Sequence, residues 1–166
     1  SFVTGGLSEQ FQQALTHVAQ TINSNFETSA QNKVEPSTFS VTGHSLGGGI
    51  AQVVAHTFGL NGAALDAPGA TSIVSDSEYE SFVTSLKQQY PNAFNNVGNT
   101  PAVGSDFTNI SEQGSVINVI GKHLGSEIKI DEVGDTQTVV GLFVTMINPK
   151  LGTAIVADSL VDNHKL

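Results

Sequence analysis

Amphipathic stretches of this chain alternate with short, continuously apolar ones, as helices alternate with buried strands. Over residues 7–22 the apolar side chains recur at spacings of three and four, and Ser8 stands at a capping position. This pattern predicts an amphipathic helix that packs one face on a core. A similar pattern predicts a helix over residues 77–90, which Pro91 ends, whereas residues 23–37 are polar enough to predict a loop.

Short apolar runs rich in β-forming residues predict the strands of a sheet. The runs are residues 39–42, 62–65, 107–110, 116–120 and 127–130. Residues 46–58 predict a helix between the first two strands, residues 154–161 a final helix, and residues 138–147 either a strand or a buried helix. Strands that alternate with helices favour an α/β fold with a mainly parallel sheet flanked by helices. The length of 166 residues suits a single domain over residues 1–166.

The helix predicted after the first strand begins with three glycines, which disfavour helix formation by roughly 1 kcal/mol each. The first of them, Gly47, closes the segment Gly43-His44-Ser45-Leu46-Gly47, which has the G-x-S-x-G pattern of a nucleophile elbow. A sharp turn between strand and helix lifts a serine hydroxyl clear of its own backbone, where a base can activate it. We therefore predict that Ser45 is a nucleophile and that the Leu46 N–H donates to an oxyanion. Gly43 and Gly47 are predicted to stand where the turn leaves no room for a side chain.

Charge and composition exclude several functional classes. The formal net charge is −9 with only 6 Lys and Arg residues, so the basic face that nucleic acid requires is missing and no nucleic-acid partner is expected. The chain contains no cysteine, which excludes disulfides, thiolate metal sites and a cysteine nucleophile. The H-E-x-x-H, phosphate-loop and dinucleotide-binding patterns are also absent from the sequence, so we expect neither a metal nor another cofactor.

Three segments together resemble the class 3 (fungal-type) lipases and their bacterial relatives. Residues 41–51 are similar to the nucleophile segment of that family, residues 121–128 to its His-x-Gly-x-Glu strand, and residues 162–164 to the region of its catalytic histidine. The resemblance implies an α/β-hydrolase fold and an enzyme that hydrolyses lipid or other apolar esters without a cofactor. We also expect the protein to be secreted. A hydrolase-fold domain that binds or scaffolds without catalysis is the alternative.

His164 is the expected base among the five histidines. It follows the last predicted helix and comes after the nucleophile and the candidate acids, which is the chain order of this fold. His17 and His56 lie inside predicted helices, where surface positions or satisfied hydrogen bonds are expected, and His44 is too close in sequence to the serine to act as its base. His123 falls where the resemblance implies a structural residue.

Two carboxylates compete for the role of the acid. In class 3 lipases the acid follows a strand in an Asp-x-Val-Pro-like segment; that position falls on Gly114 here, and Glu112 is the nearest carboxylate. Asp66 ends the strand after the nucleophile helix, and residues 65–68 are similar to the segment that supplies the acid in pancreatic-type lipases. We favour Asp66 over Glu112, because its strand lies next to the elbow.

The source of a second oxyanion donor is a separate question. The family takes this donor from a loop ahead of the first long helix, and nothing before Leu7 resembles that strand and loop. We therefore expect that the N-terminal strands of the fold are missing here. Either the chain is a piece of a longer protein, whose N-terminal segment or a second chain completes the site, or another segment of this chain substitutes.

Overall fold

The structure, a computed structural model, describes residues 7–28, 39–94, 107–112 and 120–130. In chain order its elements are α1 (Glu9–Thr28), β1 (Ser40–His44), α2 (Leu46–Phe58), β2 (Asn61–Leu65), α3 (Thr71–Val74), α4 (Ser77–Gln89), a 3₁₀ turn (Pro91–Phe94), β3 (Phe107–Glu112) and β4 (Ser126–Ile130). Within these ranges, no helix combines the length and the apolar character that a membrane span needs.

The four strands form one sheet in the order β1-β2-β3-β4, and each neighbouring pair is parallel. His44 of β1 is in register with Leu65 of β2, which is in register with Ile110 of β3. The carboxyl ends of the strands therefore meet at one edge, where ligands bind in open α/β sheets. This arrangement confirms the predicted α/β-hydrolase-like architecture of a parallel sheet flanked by helices.

Helices α1, α2 and α4 pack together through apolar faces. In α1, Phe11, Leu15 and Ile22 repeat at helical spacing and are each at most 2% exposed. Phe58 at the end of α2 packs against Phe94 of the 3₁₀ turn, with the ring centroids 5.0 Å apart. Full burial of a side chain of this size contributes about 1.5–3 kcal/mol, so the core fixes the helices firmly around the sheet.

The other face of α2 lies on the sheet and consists of small residues. The cluster at this contact comprises Ala51, Ala55, Ala64, Ala67 and Phe107. Alanine side chains let the helix backbone approach β2 closely, and a Cβ added at Gly48 would lie only 2.6 Å from the Ala67 Cβ. The glycines at the start of α2 thus have a packing reason, which offsets their poor helix propensity.

Helix α1 differs from the prediction, because it continues to residue 28 through part of the stretch that was predicted to be a loop. Its last turns are polar, and their side chains bond to carbonyls of the same helix. The Thr21 Oγ1 donates to the His17 carbonyl at 2.8 Å, and the Asn25 Nδ2 donates to the Thr21 carbonyl at 2.7 Å. Polarity here marks an exposed helix surface rather than the end of a helix.

Helix α4 ends before Pro91, as predicted, and the chain continues into a further helical turn. Pro91 begins a 3₁₀ turn, in which Ala93 and Phe94 are buried. Proline suits the first position of a helical turn, where an N–H would have no partner. The four-residue helix α3 was not predicted. The predictions for residues 138–147 and 154–161, and most of that for residues 116–120, lie outside the described residues.

Candidate active site

Ser45 lies in the turn that joins β1 to α2, in a backbone conformation that side chains rarely adopt. Its φ is 53° and its ψ is −127°, and residues held in such regions cost about 1–3 kcal/mol. The Ser45 N–H donates to the Leu65 carbonyl at 2.9 Å, while the Ser45 carbonyl accepts from the N–H groups of Gly48 and Gly49 at 2.9 and 3.2 Å. The turn is therefore held from both sides at the carboxyl edge of the sheet.

The crowding around this turn agrees with the prediction at one glycine and not at the other. A Cβ added at Gly43 would lie 2.2 Å from the Gly47 carbonyl oxygen, so the prediction that Gly43 has no room for a side chain is confirmed. A Cβ at Gly47 would meet nothing within 4 Å, so the same prediction for Gly47 is wrong. The reason is direction, because position 47 faces open space, whereas position 48 faces Ala67 beyond β2.

The first turn of α2 offers backbone donors beside Ser45. The first four N–H groups of a helix have no partner within it, and here those of Gly48 and Gly49 bond back to the Ser45 carbonyl. Within the described part of the chain, no hydrogen bond engages the Leu46 N–H. The partial positive charge at a helix N terminus favours a developing oxyanion. The geometry is compatible with Leu46 as the oxyanion donor, and that role stays a prediction.

Asp66 has the same position at the end of β2 that Ser45 has at the end of β1. The two residues follow the register pair His44 and Leu65, so they lie side by side on adjacent strand tips. Adjacent strands are about 4.8 Å apart. The φ of Asp66 is 41°, and among the described residues Ser45 and Asp66 are the two non-glycine residues with positive φ. The structure thus brings these two predicted site residues together.

Glu112, the competing carboxylate, lies farther from the serine along the sheet. It is the last residue of β3, and β2 separates that strand from β1. Asp66 is on the nearer strand tip, which favours it on position, but the choice of acid stays a prediction. Gly114, at the acid position of the family, and His164, the expected base, lie outside the described residues.

The turn after Asp66 is held by the segment that precedes β4. The His123 Nε2 lies 2.8 Å from the Ala67 carbonyl oxygen, and since a carbonyl only accepts, Nε2 carries the proton in this contact. On the other side of the ring, Nδ1 lies 3.8 Å from Oε1 of Glu127. His123 therefore has contacts that suit the structural role implied by the resemblance.

Gln52 makes a second connection to this turn, and the sequence analysis did not identify it. Its side chain is 1% exposed, its Nε2 donates to the Pro68 carbonyl at 2.9 Å, and its Oε1 accepts from the Leu124 N–H at 3.0 Å. The sequence does contain a signal, because Gln52 is the single amide side chain of a helix that is mostly apolar. A buried amide requires hydrogen-bond partners, so its place in the apolar stripe indicates that it bonds to another segment of the fold.

The remaining histidines lie outside this edge of the sheet or point to solvent. His17 and His44 are exposed. His56 was expected at the surface or with satisfied hydrogen bonds, and this expectation is wrong. It is half-buried beside Tyr79, with ring centroids 6.4 Å apart, and its Nδ1 has no hydrogen-bond partner among the residues that the structure describes. Burial lowers the pKa of His56.

Two open grooves lie between α1 and α4 and share Gln12 and Phe82. Their volumes are about 450 and 420 Å³, and neither includes Ser45 or Asp66, so they are separate from the candidate site. Among the residues that the structure describes, no group of three or more His, Asp or Glu side chains is arranged to hold a metal ion.

Comparison with known families matches residues 2–90, more than half of the 166-residue chain, to the family described as Lipase (class 3). Comparisons with curated proteins and with solved structures give no match. The matched residues include the elbow and Asp66, whereas Glu112 and His164 lie beyond them. The chain therefore belongs to the class 3 lipase family, and this membership implies an α/β-hydrolase that hydrolyses lipid esters with a serine nucleophile.

Proposed function

We propose that this chain is a lipase or esterase that cleaves carboxylic esters of lipid or other apolar acyl groups through an acyl-enzyme on Ser45. The observation that carries the proposal is the conformation of Ser45, whose φ of 53° is held between a parallel strand and the N terminus of α2. Strain of this kind persists where surrounding contacts fix it, and it is concentrated at functional sites. A glycine would occupy this turn without strain if the side chain had no role.

In the proposed reaction, His164 removes the proton of the Ser45 hydroxyl while Oγ attacks the carbonyl carbon of the ester. The carbonyl oxygen becomes an oxyanion, to which the Leu46 N–H donates. The bond to the alcohol oxygen then breaks, and the alcohol leaves with the proton from His164. Water, deprotonated by His164, attacks the acyl carbon; the bond from this carbon to the Ser45 Oγ then breaks, and His164 returns the proton to Oγ as the carboxylic acid leaves. Asp66 orients the imidazole ring and stabilises its charged form.

We further propose that a segment ahead of residue 1, or a second chain, supplies the second oxyanion donor. In the described sheet β1 carries the serine turn and yet lies at the edge, and its residues alternate between exposed and half-buried. The centre of β2, in contrast, is buried. An edge strand leaves a row of backbone N–H and C=O groups without strand partners, so an additional strand beside β1 would both pair this edge and bring a donor to the turn.

The completeness of the site is tested by turnover. Loss of one oxyanion donor typically lowers the rate about 10²- to 10³-fold, so residues 1–166 alone should be a weak catalyst. A longer form of the protein, or the missing piece added separately, should raise turnover by that factor. Equal and high turnover from residues 1–166 alone would place the second donor within these residues.

The nucleophile and the base are tested by substitution and by covalent labelling. Ser45→Ala should lower the turnover of a p-nitrophenyl ester about 10⁴- to 10⁶-fold, and His164→Ala should do the same. The double variant should be no slower, because the two residues act as one unit. A fluorophosphonate should label the wild-type chain and not Ser45→Ala. Wild-type protein that is neither labelled nor active would favour a non-catalytic binding or scaffolding domain instead, whereas an active Ser45→Ala variant would reject Ser45 as the nucleophile.

We also propose that the protein acts outside the cell on its lipid substrate, as expected for lipid degradation by a secreted enzyme. The net charge of −9 suits a soluble, non-adhesive protein and disfavours electrostatic docking on anionic membranes. Activity that is recovered with the cells, and not in the culture medium, would contradict this location.

A further inference from the structure

We infer that Gln52 is a positioning residue that ties the turn carrying Asp66 to the segment that leads into β4. The inference rests on the proposed function, in which Asp66 is the acid of the site. Gln52 lies in α2, the helix that begins directly after Ser45, and its side chain is buried. One amide side chain thus connects the helix that carries the nucleophile turn with the turn that carries the acid.

A continuous series of hydrogen bonds runs through this side chain. The Asn109 Nδ2, in β3, donates to the Leu124 carbonyl at 2.6 Å. The Leu124 N–H donates to the Gln52 Oε1 at 3.0 Å, and the Gln52 Nε2 donates to the Pro68 carbonyl at 2.9 Å. Movement of either loop relative to α2 would leave a buried polar group without a partner, which is strongly unfavourable. The series therefore fixes the two loops against each other.

Two consecutive carbonyl groups directly after Asp66 are held in this way by side chains. The Ala67 carbonyl accepts from His123, and the Pro68 carbonyl accepts from Gln52. Rotation of these two peptide groups would turn the carboxylate of the preceding residue, and both contacts oppose it. A displacement of about 1 Å in a catalytic group can lower the rate about 10²-fold. Gln52 therefore acts on the reaction through the orientation of the acid.

Gln52→Met tests the inference, because it keeps the side-chain volume and removes both hydrogen bonds. We expect kcat for a soluble p-nitrophenyl ester to fall about 10- to 100-fold while KM stays within about twofold. Thr57→Val is the matched control. It removes a hydroxyl that is also buried in α2 and that bonds to the Val53 carbonyl and to the Tyr79 hydroxyl. If Gln52→Met is no slower than Thr57→Val, the inference is overturned.

A double-mutant cycle with Asp66→Asn distinguishes positioning from a general loosening of the fold. If Gln52 acts through Asp66, the double variant should be within about twofold of Asp66→Asn alone. Losses that multiply would instead show that the two residues act independently and would overturn the inference. Gln52→Asn keeps an amide that is one methylene shorter, and it should give the same loss of kcat and the same non-additivity if the methionine variant does not fold.

The inference and the proposed function fail through different outcomes. An active Ser45→Ala variant rejects the serine hydrolase itself, whatever Gln52→Met does. An inactive Ser45→Ala variant combined with full activity of Asp66→Asn leaves the hydrolase in place, moves the acid elsewhere and overturns the role of Gln52.

Discussion

The turn that carries Ser45 and the turn that carries Asp66 have equivalent places in the sheet and are stabilised in different ways. Both follow parallel strands at one edge, and both residues have positive φ. The serine turn is closed mainly by near neighbours, such as the Gly48 N–H that bonds to the Ser45 carbonyl. The acid turn is held instead by Gln52 and His123, which are 16 and 56 positions away from the carbonyls they contact.

This difference has a consequence for what each turn tolerates. A turn that is closed by its own neighbours keeps its geometry when distant parts of the fold change. A turn that is held by distant side chains depends on the packing of α2 against the segment before β4. The nucleophile is thus the more robust part of the site, whereas the position of the acid depends on the surrounding loops. An acid on either strand tip can serve the same serine, provided that it reaches the imidazole.

Among the substitutions that compare the two turns, exchange of the acid is expected to have the largest effect. Asp66→Asn keeps the shape of the side chain and removes its charge, so we expect turnover to fall about 10³- to 10⁴-fold. Glu112→Gln is the matched control on β3 and should change turnover by less than about threefold, since β2 separates its strand from the one that carries Ser45. If Glu112→Gln instead lowers the turnover of the same ester more than Asp66→Asn does, the acid lies on β3 and the turn after β2 is not part of the catalytic site.

Alanine substitutions at the two glycines that flank the serine turn should differ in their effect on stability. Gly43→Ala would place a Cβ 2.2 Å from the Gly47 carbonyl oxygen. We expect it to lower the free energy of unfolding by about 3 kcal/mol, the upper range for overpacking. Gly47→Ala faces open space and should change stability little, or raise it by up to about 1 kcal/mol through helix propensity. Urea denaturation measures both, and equal losses would contradict the steric account.

The strain in the serine turn predicts that two inactive variants, Ser45→Gly and Ser45→Ala, differ in stability. Ser45→Gly removes the side chain that makes a φ of 53° unfavourable. We expect it to be more stable than Ser45→Ala by about 1 kcal/mol, because alanine keeps the strained Cβ. Both variants should be inactive, so thermal unfolding separates them where activity does not. If Ser45→Ala matches Ser45→Gly in stability, the turn stores no strain.

The smallest effect concerns His56, near the far end of α2, and provides a baseline away from both turns. Burial lowers the pKa of His56 from its ordinary value of 6.5. The unfolded chain therefore binds a proton here at a higher pH than the folded protein does. The contribution of neutral His56 to the free energy of unfolding is therefore fully present above about pH 6.5, and it is lost as the pH falls toward the pKa in the folded protein.

Substitution of this histidine tests the sign of the effect. His56→Gln should reduce the fall in Tm between about pH 7 and pH 5, because it removes the group that titrates only in the unfolded chain over part of this window. His17→Gln, at an exposed position of α1, is the matched control and should follow the wild type. An unchanged fall in His56→Gln would place the acid-sensitive group elsewhere in the chain.

The features that the sequence predicts well are the ones that depend on near neighbours. Helix α2 has the predicted bounds, since the glycines and the apolar stripe that define it are contiguous. The crowding at Gly43 also follows from a contact only four residues away. The parallel sheet was predicted from the alternation of strands and helices alone, because parallel strands need crossover connections of a dozen residues or more.

The features that the sequence does not reveal depend on contacts between distant segments. The role of Gln52 requires that Pro68 and Leu124 meet above α2, which no local pattern specifies. The direction of position 47 likewise depends on how α2 lies on β2. The choice between Asp66 and Glu112 has the same origin, because it depends on which strand tip faces the imidazole.

The strained backbone at Ser45 has a consequence for laboratory evolution of this protein. Selection by heating rewards only the stability of the fold, and a glycine at position 45 would make the fold more stable than the serine does. A library screened only for survival after heating would therefore enrich clones that have lost their chemistry, with position 45 among the first to change. Such a campaign should score hydrolysis in every round, or hold residues 43–49 invariant from the start.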